Sequence, residues 1–131
     1  QEYLWKLLLD GTSPVEFSSL GRWWGTDPST RRQEEIDIMG EQDNKTALFG
    51  ECKWRQEPVD VGVLETLVNR SRLFHYSKVE LYLFAKIGFT SGCMEQAEQM
   101  GNVHLVTYQD ILNALQPEKN NAKKEGTLWR P

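Results

Sequence analysis

The sequence predicts an α/β domain around a mixed sheet, an antiparallel meander that continues into parallel strands, flanked by helices. Three observations lead there. Residues 33–40 and 46–54 read as two apolar strands joined by the short polar break Gln42-Asp43-Asn44-Lys45, a hairpin signature. A helical stretch behind Asp60 then separates this hairpin from a strongly apolar strand at 78–87, and a helix between strands implies a right-handed crossover to a parallel neighbour. From there strand and helix alternate to residue 115.

In chain order, residues 2–9 place Tyr3, Leu4, Leu7 and Leu8 at helical spacing, and Gly11 stops that helix. Residues 18–25 hold a first strand, and Asp27-Pro28-Ser29-Thr30 is a turn. The hairpin strands follow. Asp60 is a natural N-cap for a helix running through Phe74, with Val61, Leu64, Leu67, Val68 and Phe74 on its apolar side. In 78–87, Leu81, Leu83 and Ala85 alternate with Tyr82, Phe84 and Lys86, so both faces are expected to be covered. Residues 93–100 form a short helix stopped by Gly101, 103–107 a last strand, and 108–115 a last helix. The domain is expected over residues 1–116, with 117–131 a polar, lysine-rich tail of low order, its end closed by docking of Leu128-Trp129 at a place the sequence does not give.

Several function classes are excluded. No apolar run approaches a membrane span and no signal-peptide pattern opens the chain. Cys52 and Cys93 are too few for a disulfide framework and lack zinc spacing, and Cys52 lies in an apolar strand, so there a buried thiol in a reducing cytoplasm is expected. No glycine-rich phosphate loop or serine elbow occurs. His75 and His104 have no partner at ligand spacing. The chain starts at Gln1 without a methionine, which suggests a piece of a longer protein. Its net charge of −4 counts against tight unaided nucleic-acid binding, although a local basic groove remains compatible.

The chemistry gathers on the hairpin. Strand alternation puts Glu35, Asp37 and Met39 on one face and Ile36 and Ile38 on the other, and on the next strand sets Glu51 and Lys53 opposite Cys52 and Trp54. A turn centred on Asn44 sets Asp37 across from Glu51. Facing carboxylates repel, so the pair needs a cation. Lys53 supplies one charge; a divalent metal would supply more and suits oxygen ligands. The hairpin alone leaves two readings open: a hydrolytic metal centre, or an ion-pair cluster in which the lysine satisfies both carboxylates. In Trp23-Trp24, at least one ring must turn inward to pack, and the other could stack on a base.

Asp37 followed by Glu51-Cys52-Lys53 resembles the PD-(D/E)XK, or restriction-endonuclease-like, superfamily of metal-dependent nucleases, with Ile36 where the motif's proline stands. The ordered phrases Gly21-Arg22-Trp23-Trp24, Glu35-Ile36-Asp37-Ile38, Phe49-Gly50-Glu51-Cys52-Lys53-Trp54 and 84–90 are similar to the C-terminal domain of a family of archaeal and bacterial ATPases. The resemblance implies a restriction-endonuclease-like core and its strand order, with Asp37, Glu51 and Lys53 as catalytic residues. It implies Mg²⁺ or Mn²⁺ held by Asp37, Glu51 and the Cys52 backbone carbonyl, with Glu2 on the opening helix as a further ligand. DNA would be the substrate, approached by Arg22, Arg31, Arg32, Arg55 and Arg70, with Arg72 and Lys86 nearby. The ATPase domain of the same chain would be a partner, and a homodimer would suit cutting both strands. The competing expectation is a nuclease-like fold kept as a DNA-binding or regulatory module without turnover.

Overall fold

The computed structural model describes residues 1–115, and the expected tail with Leu128-Trp129 lies outside them. The elements are α1 (Glu2–Leu9), β1 (Leu20–Thr26), β2 (Gln33–Glu41), β3 (Thr46–Lys53), α2 (Val61–Ser71), β4 (Lys78–Ala85), α3 (Ser91–Met100), β5 (Val103–Thr107) and α4 (Tyr108–Leu115). Their order is the expected one. One five-stranded sheet runs β1-β2-β3-β4-β5, antiparallel from β1 to β3 and parallel from β3 to β5. It is an α/β fold with a mixed sheet. No helix among the described residues is long and apolar enough to cross a membrane.

The sheet separates two cores. On one side Ile36, Phe49, Leu81 and Leu83 pack with Leu64 and Leu67 of α2 and Cys93 and Ala97 of α3. On the other Ile38, Leu48, Tyr82, Phe84 and Val106 pack with Leu4 of α1, and Ile111 of α4 rests on them. The caps follow the local sequence. Asp60 accepts a hydrogen bond from Val63 N at 3.3 Å to open α2, and Thr90 accepts from Cys93 N at 3.2 Å to open α3. Gly101 closes α3 at φ 77°, a left-handed position that glycine takes without steric cost. At the entry to α4, Thr107 N donates to the Asp110 carboxylate at 2.9 Å while Asp110 N donates to the Thr107 hydroxyl at 3.2 Å.

Four expectations need correction. The helix behind Asp60 ends at Ser71 rather than Phe74, because Phe74 leaves the helix to pack edge-on against Trp23 at 5.0 Å between ring centres. The apolar strand ends at Ala85, so Lys86 is an exposed residue beyond it. Cys52 is exposed; only Cys93 is buried, because β3 reaches the sheet's rim where Cys52 stands. The strict alternation of β2 also fails. Gly21 pairs with Met39 but Trp23 pairs with Ile36, so Asp37 and Ile38 together face the single residue Arg22. That bulge switches the strand's phase: Ile36 and Met39 enter the α2 side and Ile38 the α1 side.

Candidate functional site

The bulge lies where β2 and β3 diverge. The last rung between them is Ile38 with Gly50. A side chain at Gly50 would bring a Cβ within 3.2 Å of the Ile38 Cβ, so glycine permits this close approach. The register points Asp37 at Glu51 as expected, but no rung forms there. The Asp37 carboxylate instead accepts a hydrogen bond from Cys52 N at 3.0 Å. A side chain thus takes the place of the strand's backbone acceptor. Glu35, Asp37, Glu51, Cys52, Lys53 and Arg70 line one hollow at this seam.

Glu51 is its centre. The residue is 7% exposed, on the face of β3 that turns toward α2. Lys53 Nζ lies 3.5 Å from Glu51 Oε1, and Arg70 Nη1 lies 3.6 Å from Oε2. Oε2 is buried and has no hydrogen-bond partner. Burial pushes the Glu51 carboxyl above its ordinary range and Asp37 pushes it further, while Lys53 and Arg70 pull it back. Arg70 reaches from α2 and also donates through Nε to Glu34 Oε2 at 2.8 Å. Glu34 was not singled out from sequence. The bulge hid it, because strict alternation gave the acidic face to Glu35 and Asp37. The adjacent apolar pair Ile38-Met39, which no alternating strand needs, was the available signal of the phase slip.

The other expected residues distribute as follows. Glu35 faces outward and pairs with Arg22 Nε at 3.5 Å. Glu2 is not brought into the seam hollow; it lines a second hollow on the α1 side with Cys52, Trp54 and Phe84. Arg55 lines a hollow with Glu51, Lys53, Asp60 and Arg70, and its Nε is buried without a hydrogen-bond partner. Arg31 and Arg32 are exposed in the β1–β2 connection, where Arg31 takes φ 60° and its N–H donates to Asp27 O at 2.7 Å. Arg72 caps the far end of α2, in a hollow with Glu65 and Gln96. Of the histidines, His104 pairs with Glu80 at 2.7 Å and stacks on Tyr82 at 4.4 Å, remote from the seam. Trp23 packs inward and Trp24 is exposed.

The donors at the seam suit a hard cation: two carboxylates that feel each other's charge, one with a buried oxygen that makes no hydrogen bond. Among the described residues no three His, Cys, Asp or Glu side chains gather as a ligand set. A cation here would therefore draw its remaining ligands from backbone carbonyl and water, as Mg²⁺ commonly does.

The chain was compared with known proteins. A family model described as archaeal and bacterial proteins of unknown function matches residues 1–70. No curated protein matches. A solved structure, the crystal structure of protein of unknown function AF1548, is similar at 16% identity and a TM-score of 0.49, over 96% of this chain and 79% of that one.

Proposed function

We propose that this chain, which belongs to the DUF234 family of archaeal and bacterial proteins, carries a metal-dependent site for hydrolysing DNA phosphodiester bonds. The observation that carries the reading is Glu51, a buried glutamate whose Oε2 makes no hydrogen bond and meets only Arg70 at 3.6 Å, held beside Asp37 and Lys53 where two strands separate. A strand end that positions two carboxylates and a lysine in one hollow is the arrangement implied by the PD-(D/E)XK resemblance. Asp37, Glu51 and the Cys52 carbonyl would hold Mg²⁺ or Mn²⁺, which when bound acts as a Lewis acid and lowers the pKa of water.

The chain's own residues supply the rest. Lys53, 3.5 Å from Glu51 and partly open to solvent, directs its ammonium into the hollow, where it orients a water or offsets charge developing on a phosphate. Arg70 fixes the Glu51 carboxylate from α2 and is itself fixed by Glu34. The hydrogen bond from Cys52 N sets the orientation of Asp37. An ATPase domain in the same polypeptide would deliver the DNA, consistent with the acidic balance of this domain.

One observation favours a second reading. Lys53 and Arg70 already flank Glu51 with positive charge, which is what a structural ion-pair cluster in a non-cleaving regulatory module would show. The deciding experiment is a cleavage assay on single-stranded, duplex and branched DNA, with Mg²⁺ or Mn²⁺ titrated, with and without the ATPase partner. Metal-dependent cleavage that Asp37→Ala abolishes supports the hydrolase. Inactivity of the wild type on every form supports the module.

A further inference from the structure

We propose that Trp24 and Trp54 form a stacking platform that takes bases of single-stranded DNA, with the backbone passing the seam hollow. The inference deepens the phosphodiester reading and rests on it for the place of the backbone. Both tryptophans are open to solvent, Trp24 at 62% and Trp54 at 52%. They share a face and an end of the sheet. Trp23 turns into the α2-side core, so Trp24 faces the opposite way, while Trp54 lines the α1-side hollow with Tyr3, Ile38 and Cys52. Trp24 pairs with Glu35 near the start of β2, and Trp54 directly follows the last residue of β3. β1 and β3 lie two strand spacings apart where the sheet is paired, about 10 Å, and further apart toward the two rings, because β2 and β3 diverge beyond the Ile38–Gly50 rung. Cys52 lines both the seam hollow and the hollow of Trp54, so the two depressions adjoin. Tyr108 of α4 meets Trp54 edge-on at 5.5 Å and 90°, which holds that indole while leaving it accessible.

The surroundings favour nucleic acid over a protein partner. The core of a protein interface is contiguous and poor in charge. Here Glu35 and Asp37 of β2 stand between the strands of the two rings, with Arg22 paired to Glu35 beside Trp24, and the patch is divided. Arg22 projects from the same face of β1 as Trp24, and Arg31 and Arg32 lie in the adjoining connection. Separate aromatic planes divided by polar groups, with Arg22, Arg31 and Arg32 on the Trp24 side, suit splayed bases better than one continuous apolar partner surface. Duplex DNA keeps its bases stacked on one another and offers no such planes at its side.

The test is fluorescence anisotropy of labelled single-stranded and duplex oligonucleotides with the full 131-residue chain, at fixed low salt with Ca²⁺ present to offset the carboxylates. Trp24→Ala and Trp54→Ala are each expected to weaken single-strand binding about tenfold, with Phe at either position keeping most of it. Met94→Ala, an exposed apolar residue of α3 across the sheet, is expected to change nothing. Thermal unfolding of each variant checks that it is folded. Equal affinity of wild type and alanine variants overturns the platform, as does a wild type that binds no oligonucleotide. So does an equal loss on duplex, or an effect of the tryptophans on self-association alone. Cleavage distinguishes the two proposals. If DNA binds through the tryptophans but is never cut, the platform stands and the hydrolase falls. If DNA is cut with unchanged affinity in both alanine variants, the reverse holds.

Discussion

The two halves of the sheet are built differently. The parallel half, β3 to β5, keeps one unbroken register: Thr46 with Lys78 through Lys53 with Ala85, then Leu81 with Val103 through Ala85 with Thr107. Its central residues Phe49, Leu81 and Leu83 are fully buried. The antiparallel half slips by one residue at Asp37 and Ile38, and β2 and β3 separate just beyond the Ile38–Gly50 rung. The carboxylates and their cations sit at that break. Regular pairing on β4 holds Glu51 and Lys53 in place, but a strand paired on both sides would leave Asp37 no way to reach the β3 backbone. An interrupted ladder turns Asp37 toward Cys52 and leaves Glu51 Oε2 without a hydrogen bond. Stability should therefore reside in the parallel half and chemistry at the seam, and substitutions in the two should have opposite profiles.

The largest effect is expected in the dry half. Leu83→Ala removes a side chain with 0% exposure and should lower unfolding free energy by about 3 kcal/mol in urea titration. Its response to Mn²⁺ in thermal unfolding should match that of the wild type. A lost metal response would mean that the two halves are not separable.

Arg70→Met comes next. It leaves Glu34 and Glu51 without their shared cation and should cost about 2 kcal/mol, below the range for fully buried pairs because Arg70 is 24% exposed. A double-mutant cycle with Glu51→Gln should recover some of that loss. Strict additivity would show that Arg70 does not act through Glu51.

Much of this division is legible in the sequence. Element order and the parallel crossover follow from apolar period, from Asp60 as a cap and from Gly101 as a stop, all local signals. The pairing of Asp37 toward Glu51 follows from hairpin arithmetic. The phase slip does not, because it is set by how β1 lies against β2, and nothing within residues 33–41 reports the partner strand except the apolar pair Ile38-Met39. For that reason Glu34 and its bond to Arg70 stay hidden, and the sequence offers Arg70 as a DNA contact although it braces Glu51. Cys52 is expected inside because its strand is apolar, yet it stands at the rim.

Glu51→Gln should give a smaller change, of opposite sign to Arg70→Met, in metal-free buffer. A carboxyl held above its unfolded value binds more protons in the fold, so the fold loses stability as pH rises from the ordinary carboxylate range through the raised value. The wild type should thus gain stability on mild acidification across that window, and Glu51→Gln should lack the gain and be the more stable near neutrality. Identical pH profiles for the two would remove Glu51 as the strained group. Asp37→Asn should change stability least, under about 1 kcal/mol, because an amide oxygen can still accept from Cys52 N. It should nevertheless abolish the Mn²⁺-induced rise in melting temperature.

The most direct test of the central claim sets metal binding against turnover in Lys53→Ala. The rate of Mg²⁺-dependent DNA cleavage should fall about a hundredfold, as when one charge-stabilising donor is removed, while Mn²⁺ titration shows binding near that of the wild type. Asp37→Ala, measured alongside, should lose both. Wild-type cleavage rates in Lys53→Ala, or metal binding that survives in Asp37→Ala, would contradict the account.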